Sequence, residues 1–231
     1  MEALVALVPL LFMGGLMALV ALLVWYSLQQ AKKRREAMAR FAASQGWTYR
    51  REDPSLARRF RGAPFGRGHG RRATNVLQGR HQGRATVAFD YQYKQRSGSG
   101  KNRRTSTYHF SVVATHLGVR MPELSVTPEN AVGRFFGRIF DSDIQLESED
   151  FNRAFTVKAP DRRFAYDVLH PTMMEMLLRR PDLGWRIEGD SLLMITSGSH
   201  TPPLVLDRLA AMDAIADAIP EFVWRQVRGQ A

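Results

Sequence analysis

RATVAFDYQY (residues 84–93) and YHFSVVATH (residues 108–116) decide the fold. In the first, Val87, Phe89, Tyr91 and Tyr93 alternate with Thr86, Ala88, Asp90 and Gln92. In the second, Tyr108, Phe110, Val112, Ala114 and His116 share one side. A period of two is that of a strand with one face buried. His116 is expected as a core histidine on that face. KQRSGSGKNRRTS (94–106) separates the two runs. Its length and polarity predict a basic surface loop that carries Lys94, Arg96, Lys101, Arg103 and Arg104.

Working outward, shorter strands are expected at 47–50, 75–78, 124–126, 143–147 and 154–158. WRIE and SLLMIT (185–188 and 191–196) form a hairpin about Gly189-Asp190. Residues 52–72 are rich in Gly, Pro and Arg and read as irregular chain with one helical turn at 55–60. Val132, Phe135, Phe136, Ile139 and Phe140 recur at helical spacing. Further helices are expected over 162–169, over 171–180 with proline in the first turn, and from Pro203 to Ile219. The last of these has a core face of Val205, Leu209, Met212, Ala216 and Ile219. Strands and helices follow one another without a regular βαβ repeat. The fold class is therefore α+β: a mixed or antiparallel sheet with packed helices, following an N-terminal transmembrane helix.

That helix is expected from Ala3–Tyr26, 24 uncharged and mostly apolar residues. At about 1.5 Å per residue the run is about 36 Å long, enough for a hydrocarbon core of about 30 Å. Trp25 and Tyr26 close it as interfacial aromatics. Lys32, Lys33, Arg34, Arg35 and Arg40 follow, and no Lys or Arg precedes it. These cations are expected to set topology or to meet lipid headgroups. The placement that follows is a single pass of a bacterial inner membrane, with the N-terminus outside and the rest cytoplasmic. The expected organisation is an anchor over 1–30, a juxtamembrane basic helix over 31–46, an α+β domain over 47–220 and a tail over 221–231. The domain allows a subdivision near residue 128. Gly14 and Ala18 form a small-residue pair that allows a weak homodimer.

Charge is uneven. The chain carries +11 overall. Residues 32–104 hold 20 Lys and Arg against four acids, whereas 105–231 hold 13 against 17. A basic half of this kind suits anionic lipid headgroups, and the other expected partner is an unidentified membrane protein. Nucleic acid is the disfavoured partner, because no helix-turn-helix, zinc-finger or RNP pattern is present.

Chemistry is sparse. The six histidines form no metal-ligand pair, and the chain has no cysteine. Asp141–Asn152 fails the calcium-loop pattern at its turn and at its bidentate position. Gly66–Gly70 and Gly100-Lys101 fit no phosphate-binding loop context. His170 reads as a helix-start residue. No catalytic residue, metal or cofactor is expected. The leading reading is a membrane-anchored interaction domain. The alternatives are an enzyme built from Glu147, Glu149, Asp150 and His170, and a tethered nucleic-acid binder.

Three stretches carry a resemblance: PFGRGHGRRATNVLQGRHQGRATVAFDYQY (64–93), LESEDFNRAFTVKAPDRRFAYDVLHPTMMEMLL (146–178) and WRIEGDSLLM (185–194). On these the chain resembles a family of uncharacterised bacterial single-pass membrane proteins with a cytoplasmic domain of unknown function. The resemblance implies topology and domain extent, and no site residue.

Overall fold

The computed structural model describes residues 2–99, 102–129 and 144–229, with backbone alone for 2–12 and 14. Lys101 and the expected helix over 132–140 lie outside the described residues. In chain order the elements are α1 (Glu2–Ser44), β1 (Thr48–Glu52), a 3₁₀ turn (Leu56–Arg58), β2 (His69–His81), β3 (Arg84–Ser97), β4 (Arg104–His116) and β5 (Leu124–Pro128). Then follow α2 (Glu149–Ala154), β6 (Phe155–Lys158), α3 (Arg162–Val168), α4 (Pro171–Leu178), β7 (Trp185–Glu188), β8 (Ser191–Ser197), α5 (Pro202–Ala218) and α6 (Glu221–Val227).

All eight strands form one antiparallel sheet in the order β1-β2-β3-β4-β8-β7-β5-β6. β4 pairs with β8, so the sheet runs without a break between the chain's two halves. Gln82 and Gly83, at φ 49° and 75°, make the tight β2–β3 turn. Positive φ at both central residues matches the right-handed twist of the flanking strands.

The helices cover one face. Met38, Phe41 and Ala42 of α1 pack there with Val205, Leu209, Met212 and Ile215 of α5. The irregular chain over 53–68 covers the other face. Phe60 stacks on Phe89 with ring centroids 6.4 Å apart, and Phe65 meets Tyr91 at 4.7 Å. β3 is therefore buried on both faces from Val87 to Tyr91. Each aromatic ring buried here is worth about 1.5–3 kcal/mol.

Four expectations change. Among the described residues, no helix is long and apolar enough to cross a membrane. At Gln29, Gln30 and Lys32 the apolar part of α1 passes into a half that packs on the sheet through Met38, Phe41 and Ala42. The transmembrane anchor over 1–30 is withdrawn, and with it the single-pass inner-membrane placement and its orientation. α1 instead continues without a break into the domain core.

The basic loop over 94–106 is mostly strand. Lys94 pairs with Thr107, Arg96 with Thr105 and Ser97 with Arg104. Only 98–103 connects the two strands, entered through Gly98 at φ 85°. A two-stranded ribbon exposed on both faces carries no hydrophobic alternation, which is why this stretch resembles a loop in sequence.

His116 is not a core histidine. It lies at the end of β4, where its Nε2 stands 3.2 Å from Asp190 and its Nδ1 accepts from the Gly118 amide. Residues 221–227 are helix rather than tail. Val223 and Trp224 are buried, and Trp224 Nε1 donates to the Ile219 carbonyl at 3.2 Å.

Candidate functional site

Asp90 is the one acid on the inner strand β3, and it points to the helix-covered face. Its Oδ2 accepts from Asn75 Nδ2 at 2.7 Å and from the Arg34 guanidinium. Its Oδ1 accepts from the His200 amide at 2.8 Å. Arg34 Nε donates to the His200 carbonyl at 2.9 Å, and Tyr49 donates to Asn75 Oδ1 at 2.9 Å. His200 Nε2 lies 2.9 Å from the Val112 carbonyl, which makes it the protonated nitrogen. Burial pushes the His200 imidazole below its ordinary range, so it is neutral. This node ties α1, β1, β2, β3 and the start of α5 together. Apart from His200 Nδ1, which is buried without a hydrogen-bond partner among the described residues, its groups satisfy one another, which is a structural task.

Arg34, expected at headgroups or as a topology cation, is thus internal. The other cations near it stay outward. Lys32, Lys33 and Arg40 are exposed, and Arg35 is half-buried. Trp25 and Tyr26 are both 58% exposed, with the Tyr26 hydroxyl accepting from Gln30 Nε2.

α1 has a readable direction. Near its C-terminal end, Phe41 meets Trp47, whose indole lies over Gly79, the partner of Thr86 on β3. Arg34, two turns earlier, reaches Asp90. Going toward its N-terminus, α1 therefore follows β3 toward the ribbon. Met13, Leu16, Met17, Leu19, Val20 and Leu22 are among its exposed apolar residues.

The ribbon brings together Lys94, Arg96, Arg103 and Arg104. All four are exposed, and none forms a salt bridge among the described residues. Cross-strand pairing puts Lys94 and Arg96 on the α1 face and Arg104 on the opposite face.

The proposed enzyme residues do not converge. Glu147, Glu149 and Asp150 are exposed, and Asp150 pairs with Arg153 at 2.5 Å. His170 caps α4, with Nδ1 accepting from the Met173 amide and Nε2 on the Ala218 carbonyl. Among the described residues no three His, Cys, Asp or Glu side chains could hold a metal ion.

A polar cleft of about 280 Å³ opens at the other end of the sheet. Its walls are the strap at Arg59–Arg61, the loop at Arg120–Glu123 and the β7–β8 turn at Glu188–Ser191. Beneath them, Arg186 is only 5% exposed. Its guanidinium donates to the Arg61 and Ala63 carbonyls and pairs with Glu188 at 3.0 Å. Glu188 accepts in turn from the Arg61 amide at 2.7 Å. Burial raises the Glu188 carboxyl above its ordinary range, against the pull of Arg186. The Ser191 hydroxyl, donating to Asp190 at 2.7 Å, holds that carboxyl low. Sequence reasoning missed this cleft. The one available signal was Arg186-x-Glu188 in a short apolar strand, where alternate residues share a face.

No protein family and no curated protein matches the chain. Among solved structures, the crystal structure of the mycobacterial trehalose monomycolate transport factor A, TtfA, is similar. The match has a TM-score of 0.56 at 14% identity and covers 80% of this chain and 96% of that one. A likeness at that identity establishes the fold alone.

Proposed function

We propose that this is an interaction domain that binds rather than catalyses, and that its basic ribbon contacts the phosphates of anionic lipid headgroups. The observation that carries the reading is the set Lys94, Arg96, Arg103 and Arg104. These cations are exposed and lack a carboxylate partner among the described residues. Arginine gives two parallel hydrogen bonds to a phosphate, which suits headgroups better than a diffuse charge would. The exposed apolar side chains of α1 lead toward the same end of the sheet as the ribbon, and a lipid surface offers apolar and anionic chemistry together. The scattered Glu147, Glu149, Asp150 and His170 support binding over catalysis. The similar structure is that of a transport factor. That lends support to a binding role and transfers no cargo to this chain.

The test is vesicle co-sedimentation of the full chain with phosphatidylglycerol-containing and pure phosphatidylcholine vesicles at rising salt. The reading predicts stronger binding to the anionic vesicles and a preference that fades as salt screens it. Equal binding at low salt would sink it. Tight, steeply salt-dependent binding to duplex DNA without vesicle preference would move the assignment to nucleic acid.

A further inference from the structure

We infer that the cleft between the strap and the β7–β8 turn is a binding site for a small phosphorylated, hydroxyl-bearing molecule. This site uses residues other than the ribbon, so it goes beyond the function proposed above, and either can fail alone.

The cleft is built before any ligand arrives. Arg186 and Glu188 pin the strap to the hairpin through the Arg61 and Ala63 backbone. The opposite wall is held by the Leu117 amide on the Asp190 carbonyl at 2.8 Å and the Met121 amide on the Gly189 carbonyl at 2.9 Å. Three arginines from two separate segments, Arg59, Arg61 and Arg120, line this space. None is salt-bridged among the described residues. Arg59 lies 5.3 Å over the Phe60 ring.

The acids offset these cations only in part, with Arg59 acting on Asp190 and Arg61 on Glu188 but no salt bridge formed among the described residues. Glu188 is engaged by Arg186, and Asp190 by His116 and Ser191. That leaves Glu123 as the one wall carboxylate without a hydrogen bond among the described residues. Glu188 is offset by Arg186, so three arginines without a salt bridge among the described residues face the carboxylates of Glu123 and Asp190, a balance that leaves the wall positive and favours an anion. A phosphate monoester matches the fork of an arginine better than a carboxylate of equal size, because it offers three acceptor oxygens. Glu123 then stands as an acceptor for hydroxyl groups on the rest of the ligand. The mostly polar lining disfavours an acyl chain, and about 280 Å³ suits a molecule of sugar-phosphate size. Arg186 Nε is buried without a hydrogen-bond partner among the described residues, beside a separate cavity of about 50 Å³ that shares Arg61, Glu123 and Glu188 with the cleft.

The experiment is a titration of the full chain with glucose 6-phosphate, inorganic phosphate and glucose, read by calorimetry and by amide chemical shifts. Glucose 6-phosphate should bind saturably, inorganic phosphate more weakly and glucose not at all. Shifts should gather at Arg61, Glu123 and Asp190. Arg61→Ala and Arg120→Ala keep every backbone hydrogen bond described above. Each should weaken glucose 6-phosphate binding about tenfold, the usual loss for one charged hydrogen bond. Glu123→Gln should narrow the gap between glucose 6-phosphate and inorganic phosphate. Lys94→Ala on the ribbon should change nothing. The inference is overturned by an absence of saturable binding, by unchanged affinity in both arginine variants, or by an equal loss in Lys94→Ala.

Discussion

Arg34 on α1 and Asp90 on β3 form an ion pair across the helix–sheet boundary, with Arg34 also donating to the His200 carbonyl at 2.9 Å. One pair thus holds the long helix to the inner strand β3 and to the start of α5.

Asp90→Asn keeps the shape of that node and removes its charge. Arg34 is about a third exposed, so part of its loss is screened. The variant should be destabilised by about 2 kcal/mol, the range for hydrogen bonds to a charged group. A double-mutant cycle with Arg34→Met, read by urea unfolding, should show coupling. Simple additivity of the two would place the attachment of α1 elsewhere.

His200 should make stability depend on pH. The unfolded chain takes up this proton near pH 6.5, whereas burial keeps the folded imidazole neutral to lower pH. Between those points the unfolded state holds more protons, so stability falls as pH drops below about 6.5. His200→Gln should flatten the melting temperature over that window. An unchanged slope would mean that another group carries it.

Gly79 sits beneath Trp47, and an added Cβ would lie 2.2 Å from the indole Cδ1. Trp47 is also tied down by its Nε1 hydrogen bond to the Arg80 carbonyl at 3.0 Å. Gly79→Ala should therefore cost about 1–3 kcal/mol by overpacking. Gly15→Ala, where nothing lies within 4 Å, should be neutral or slightly stabilising. Equal unfolding midpoints for the two would contradict the packing of β1 on β2.

The strap over 53–68 depends on its aromatic residues. Phe60→Ala should cost about 3–5 kcal/mol and expose the segment to limited proteolysis. Protease resistance equal to wild type would show that Arg186 and Glu188 hold the strap without it.

These sites differ in how far the sequence foretold them. The runs in β3 and β4 were legible as strands from their period of two, but not that their second face, with Ala88, Asp90, Ser111 and Val113, is buried as well. The core face of α5 was legible for the same reason at period 3.6, and Val205, Leu209, Met212, Ala216 and Ile219 are all buried. The strap was not, because Phe60 and Phe65 bury themselves from irregular backbone that has no period. The ribbon's strands were hidden because both their faces meet solvent. Arg34 shows the limit for charge. It sits among Lys32, Lys33 and Arg35, and no local pattern distinguishes the one cation with a buried partner 56 positions away. The cleft joins residues 59–61, 120–123 and 186–191, a grouping that only the strand order creates.

The most direct test of the central claim is the charge of the ribbon. Lys94→Glu/Arg96→Glu changes two exposed side chains that anchor nothing in the core. The full chain and this variant should be compared on phosphatidylglycerol-containing and phosphatidylcholine vesicles at low and high salt. At roughly 1 kcal/mol for each basic residue at an anionic surface, the variant should lose at least about tenfold of the anionic preference at low salt. The two proteins should converge at high salt. A variant that keeps the full preference of the wild type would contradict the account.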